Sequence, residues 1–223
     1  MTLAELVNET FLAYRGKLTN VPTTGSEKYS RILYLINRNQ RQWALDSNVD
    51  WPSRYEIRTI GTTSTGTQSY DLDDDIVRLS DYVQLVPTTG STSFVTVIKP
   101  QATAGVANGC YISGNDPKQI TFLTDITASN TGRSIVVPCF TMPDDLVSSG
   151  DTVAVDNPQW LIYATAAELA RNDPSKEDGY GNLQGIANDL YQNMVNEAES
   201  SSFLQPNGVP NNMSYNAIDS WSS

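Results

Sequence analysis

Three observations predict an α+β protein: a bundle of N- and C-terminal helices, a β-rich middle of antiparallel strands, and an extended C-terminal tail. Apolar residues recur at helical spacing over residues 2–45 and again over 158–199, on either side of a middle stretch with strand-like alternation. After Ser200 the composition turns to Ser, Asn and Pro with almost no charge. The expected division is therefore one discontinuous helical domain, 1–50 with 150–199, a β-rich domain, 54–143, and a tail, 200–223.

Residues 2–15 place Leu3, Leu6, Val7, Phe11 and Tyr14 on one helical face, and Gly16 closes that helix. Thr24 and Glu27 have capping-box spacing and open a longer helix to about Leu45. Its apolar stripe is Tyr29, Ile32, Leu33, Ile36 and Trp43, while Lys28, Arg31, Arg38 and Arg41 share another sector. That sector reads either as a solvated face or as a charge seam against an acidic neighbouring subunit.

Pro52 prevents helical continuation, and RYEIRTI then alternates as a half-buried strand does. GTTSTGTQSY reads as a turn, and IVRLSDYVQLV and SFVTVIKP read as strands. YISGNDPKQITFL is a hairpin turning around Gly114 to Pro117. SIVVPCF is a further strand, in which Pro138 predicts an edge position or a bulge. In the last third, DNP caps a helix with Pro158 in its first turn, running to Arg171, and a second amphipathic helix spans Asn182 to Glu199. In QWLIYATAAELA, apolar side chains go almost all the way round, leaving Thr165, Glu168 and Arg171 as a thin polar strip. A helix of this kind, too short for a bilayer, must be enclosed by protein. It is expected to be the central helix, between the Tyr29–Trp43 and Leu183–Ala198 helices, with room for a neighbouring subunit on its remaining side.

Composition narrows the function classes. The 223 residues include no histidine, which removes His-based triads, the commonest general base and the commonest metal ligand. No phosphate-binding GxxxxGK[ST] loop, GxGxxG or GxSxG occurs, so the expectation is no catalytic residue, no metal and no cofactor. Cys110 and Cys139 fit no disulfide or zinc framework and read as small buried apolar residues. The start, MTLAELVNET, lacks a basic n-region, and no apolar run approaches the roughly 20 residues of a membrane span, so a soluble, non-secreted chain without membrane contact is expected.

Net charge is −11, unevenly placed: residues 1–70 hold 8 basic and 6 acidic residues, whereas 144–199 hold 2 and 11. Such an acidic region repels phosphates, so DNA passes it without being gripped. Asp71, Asp73, Asp74 and Asp75 lack the spacing of a calcium loop and read as a solvated turn. Asp144 and Asp145, as neighbours in sequence, make a poor glycosidase pair. Trp43, Trp51 and Trp160 fall in or beside helices and are core candidates. Phe203, Leu204, Tyr215, Ile218 and Trp221 are isolated in a tail that cannot build its own core, which makes them candidates for docking on a partner.

The arrangement resembles the head-to-tail adaptor (connector) proteins of tailed bacteriophages over most of residues 24–199. In that family a KINR-like or LINR-like helix ends in Trp, matched by Leu35, Ile36, Asn37, Arg38 and Trp43. The closing pattern, a Pro-capped helix with an Ala-rich centre, a short acidic loop and a long helix, is matched by Pro158–Arg171 and Asn182–Glu199. The long β-rich middle is closer to the podophage-type adaptors. The resemblance implies a non-enzymatic virion protein of the neck, assembled in the host cytoplasm. It would form a homo-oligomeric ring, commonly a dodecamer, between the portal protein and the tail or tail nozzle. A channel lets DNA pass at ejection, and a terminal extension clamps the portal, here the tail of Phe203 to Trp221. The expected alternative is a virion tail, decoration or receptor- and glycan-binding module acting through the β region.

Overall fold

The computed structural model describes residues 1–99, 109–114 and 116–202. It divides into two compact units, one formed by Met1–Ser53 with the described residues from Pro143 onward, the other by the described residues of Arg54–Met142.

The helical unit contains α1 (Leu3–Arg15), α2 (Glu27–Ala44), α3 (Pro158–Arg171) and α4 (Glu177–Ser202). Local chemistry sets most of their ends. Thr2 and Glu5 form a reciprocal capping box on α1, and Gly16, with φ of 73°, supplies its left-handed C-cap. On α2 the N-cap is Ser26, whose hydroxyl accepts from the Tyr29 amide, and not the expected Thr24 and Glu27 box. Several hydroxyls precede this helix, and the one that starts it is chosen by where the loop enters. Asn157 caps α3 with Pro158 behind it, as expected, while α4 begins at Glu177, ahead of the expected Asn182.

α3 is the hub: it packs against α1, α2 and α4, whereas α1 and α2 barely meet. Of its 14 residues, only Gln159 and Arg171 are exposed. Ala166, Ala167 and Ala170 are buried and let neighbouring backbones come close. α1 of the same chain, not among the expected neighbours of α3, packs against it as well. Thr165, expected on the polar strip, is buried at 0% exposure and its hydroxyl accepts from Asn39 Nδ2 at 3.2 Å.

Buried amides on α2 tie down the segment leading to α3. Asn37 donates to the Leu146 carbonyl and accepts from the Leu146 amide, both at 2.9 Å. Gln40, fully buried, donates to the Asp144 carbonyl at 3.0 Å and accepts from the Ala154 amide at 3.2 Å. The same segment satisfies the open amides of α1, with Leu3 donating to Asp151 and Ala4 to Ser149. An aromatic group completes this core: Trp43 and Trp51 lie 5.2 Å apart between ring centroids, and Tyr191 meets Trp51 at 5.9 Å and Trp160 at 5.6 Å. Trp51 Nε1 donates to the Trp43 carbonyl, and the Tyr191 hydroxyl donates to Asp46.

The second unit overturns the expected fold class. The chain is not a helical bundle carrying antiparallel strands but a mixed α+β protein dominated by an eight-stranded, nearly barrel-shaped sheet. Its strands are β1 (Tyr55–Thr62), β2 (Ser69–Asp71), β3 (Ile76–Leu79), β4 (Tyr82–Val86), β5 (Ser93–Val97), β6 (Gly109–Ser113), β7 (Gln119–Phe122) and β8 (Ser134–Thr141). They run in the order β1-β8-β4-β5-β6-β7-β2, with β3 also on β8, and the two end strands β1 and β2 approach each other. The β5–β6 pair is parallel, so the expected antiparallel arrangement is corrected as well. Periodicity marks each strand but not its neighbours, which is why a closing sheet read as separate hairpins. Part of the GTTSTGTQSY stretch read as a turn belongs to strands, Gly61–Thr62 to β1 and Ser69–Tyr70 to β2.

Pro138 is neither at an edge nor at a bulge. β8 is paired on both sides, by β1 along one and by β4 then β3 along the other. Its carbonyl accepts from the Ser80 amide, in the gap between β3 and β4. A residue's N–H and C=O face the same edge of a strand, so the missing donor points into that gap, where the ladder does not require it. The β6–β7 turn is where expected. Gly114 has φ of +70°, and a Cβ there would stand 2.6 Å from the Pro117 carbonyl oxygen, so no other residue fits. The interior holds Val83, Leu85, Ile120, Phe122, Ile135 and Val137, with both cysteines buried among them and unbridged.

Candidate interaction surface

Among the described residues no group of three or more acidic or cysteine side chains could hold a metal, and the acidic run is organised by an arginine instead. Arg58 on β1 makes two 2.7 Å bonds to Asp75, one at 3.2 Å to Asp73 and one at 2.8 Å to Glu56. Asp71 accepts from Gln119. The run is thus partly a set of ligands for one guanidinium, not a bare solvated turn; Arg58 lies too far away in sequence for spacing to reveal it. Asp145 pairs with Arg41 at 3.3 Å, and Asp144 takes part through its backbone carbonyl.

The helical unit offers surfaces of another kind. α2 turns outward a stripe of Arg31, Tyr34, Arg38, Arg41 and Leu45, spaced alternately three and four residues apart. That is the spacing of a straight seam on a helix. Tyr34 is 59% and Leu45 56% exposed, unusual for side chains of their size. Lys28 and Arg31 are exposed, while Arg38 reaches Glu168 on α3 and Arg41 reaches Asp145. Two of the four cations expected in the charge seam are therefore partly neutralised within their own chain, and two face solvent. The sequence reading missed Tyr34 and Leu45, although the three-and-four spacing that joins them to the arginines was there to be read.

α4 carries a second stripe, Asn182, Gly185, Asp189, Gln192, Asn196 and Glu199, with the same alternation and every member exposed. It is acidic and polar where the α2 stripe is basic and aromatic. At 1.5 Å per residue the two run about 21 Å and about 26 Å. Both helices bury their other side against α3, so the stripes lie on separate faces of the unit.

At the end of the unit where α1 and α3 finish, the Tyr14 hydroxyl donates to Asp173, which also accepts from the Ser175 hydroxyl and amide. These bonds, that of Tyr14 first, hold the Asp173 carboxyl down at about 2. Burial, then the bond to Asp173, raises the Tyr14 hydroxyl. Beside this pair lies an open cleft of about 380 Å³ lined by Arg171, Asn172, Asp173, Pro174 and Tyr180.

On the β unit, Phe94 is 62% exposed and meets Tyr82 edge-on, with Gln84 and Thr96 as their cross-strand partners. The tail candidates Phe203, Leu204, Tyr215, Ile218 and Trp221 lie outside the described residues. No described helix is long and apolar enough to cross a membrane. Neither a protein-family model nor a curated protein matches the chain.

Proposed function

We propose that this protein is a non-enzymatic structural component of a virion. It is a head-to-tail adaptor forming a ring, of twelve copies by analogy with the family it resembles, between the portal protein and the tail or tail nozzle. The observation that carries this reading is the pair of unlike outward stripes on the helical unit. A cyclic assembly joins two different patches of the same chain, and a basic-aromatic seam on α2 beside an acidic-polar seam on α4 supplies such a pair. The stripes match in spacing and nearly in length, so α4 of one copy can lie along α2 of the next. The acidity of residues 144–199 suits a wall past which DNA slides. The nearly uncharged tail, with Phe203, Leu204, Tyr215, Ile218 and Trp221, is assigned to the portal.

Electron microscopy of the protein mixed with portal-containing heads tests the reading. A ring at one vertex is the expected result, and binding scattered over the capsid refutes it. A chain lacking residues 203–223 should keep its fold yet fail to join those heads; unchanged attachment removes the tail from the assignment.

A second reading, a glycan- or receptor-binding module, is favoured by one observation: Phe94 and Tyr82 present an aromatic pair beside Gln84 and Thr96. It predicts saturable glycan binding that Phe94→Ala abolishes, with no ring in the presence of heads.

A further inference from the structure

The helical unit has a cationic end on an otherwise acidic body. The Tyr14 to Asp173 bond brings the C-terminal turn of α1 to the turn after α3. Arg31 on α2 lies close enough to act on the Tyr14 hydroxyl, so the start of α2 is at the same end. Arg15, Lys17, Lys28, Arg31, Arg171 and Lys176 therefore gather there, and the unit's remaining cations, Arg38 and Arg41, are the two already engaged by Glu168 and Asp145. Among the described side chains the acids of this end are Glu27 and Asp173, and Asp173 is occupied by Tyr14 and Ser175.

The cleft opens within this cationic end. Arg171 lines it, its guanidinium paired with no other described side chain, together with the largely apolar Pro174 and Tyr180. Arg15 stacks its guanidinium over the Tyr14 ring at 4.8 Å, and its charge reaches Asp173 on the cleft's edge. The cavity is the size of one or two side chains, too small for a folded surface and well suited to a side chain projecting from an extended segment.

We propose that this cleft binds a short acidic segment of a partner protein, taking one carboxylate against Arg171 with Arg15 close by, and an adjoining apolar side chain against Tyr180 and Pro174. An arginine fork recognises a carboxylate in bidentate fashion. Nucleic acid fits less well, because a duplex carries a charge every ~1.7 Å and would run along the acidic remainder of the unit. The acidic stripe on α4 of a second copy is a convex helix face, which cannot enter a concave site. This assignment goes beyond ring formation and stands whether or not a ring forms.

The test is fluorescence anisotropy of the full chain with a fluorescein-labelled octapeptide of glutamates around one tryptophan, at low salt. Saturable binding is expected, weakened about tenfold each by Arg171→Gln and Arg15→Gln, as expected for loss of one charge-assisted bond. Tyr180→Ala should weaken it too, and Lys99→Gln, in the β unit, should not. Arg15 and Arg171 are exposed, so circular dichroism of those variants should match the parent. Absence of saturable binding, equal binding by the arginine variants, or tighter binding of a 20-base-pair duplex than of the peptide would each overturn the proposal. Self-association of the chain in sedimentation that Arg171→Gln abolishes would identify a second copy as the occupant and overturn it as well.

Discussion

Replacing Asn37 with alanine leaves both the amide and the carbonyl of Leu146 without their buried partner. Unsatisfied buried groups are costly, so Asn37→Ala should lower stability by about 2 to 3 kcal/mol, read from the denaturant midpoint. Gln42→Ala, at an exposed position of the same helix, should change little. Asp173 makes a pH prediction. Its folded value, about 2, lies below the usual 3.8, so its contribution is fully present above pH ~4 and is lost as pH falls toward 2. Carboxyl-carbon NMR should find a midpoint near that value, and Tyr14→Phe should move it upward, because the tyrosine bond is the first cause of the depression. Burial pushes the Cys110 thiol up to about 12 and the Cys139 thiol to about 11. At pH 8 a thiol reagent should therefore label both only as fast as the unit opens. Single residues were unevenly legible in the sequence. Trp43 declared itself as core by spacing, whereas Asn37 and Gln40 have partners more than a hundred residues away and looked like ordinary polar helix residues.

Among the elements, α1 and α3 were readable almost to the residue because their caps act over three or four positions. Thr2→Ala should remove the α1 capping box at about 1 kcal/mol, seen in thermal unfolding. α3 has a different constraint. Ala166, at 0% exposure, faces packed neighbours, so Ala166→Leu should overpack the hub and destabilise the unit by about 1 to 3 kcal/mol. If that variant were as stable as the parent, the enclosure of α3 would be wrong. β8 was legible as a strand but not as one paired on both sides. Its proline argued for an edge, and only the handover from β4 to β3 beside Pro138 explains why the interior tolerates it.

For the whole molecule, the proposed ring depends on two stripes of unlike charge, so its stability is ionic-strength dependent. Assembly at portal-containing heads should weaken between 0.05 and 0.5 M salt as the screening length shrinks to below about 5 Å. Tyr34→Asp places a carboxylate in the middle of the α2 stripe and should abolish the ring while leaving circular dichroism unchanged, since Tyr34 is 59% exposed. Negative-stain images of heads with this variant check both points. Peptide binding at the cationic cleft should survive Tyr34→Asp, which separates the two proposals.

The sequence by itself determined where α1 and α3 begin and end, which residues alternate as strands, and how charge is divided along the chain, because caps, periodicity and composition act between neighbours. Tertiary structure alone decided the nearly closed sheet, its parallel pair, the clamp of Asn37 and Gln40, the arginine among the aspartates and the cationic end. Each joins residues distant in the chain, and their pairing follows from register and packing, which no local pattern encodes.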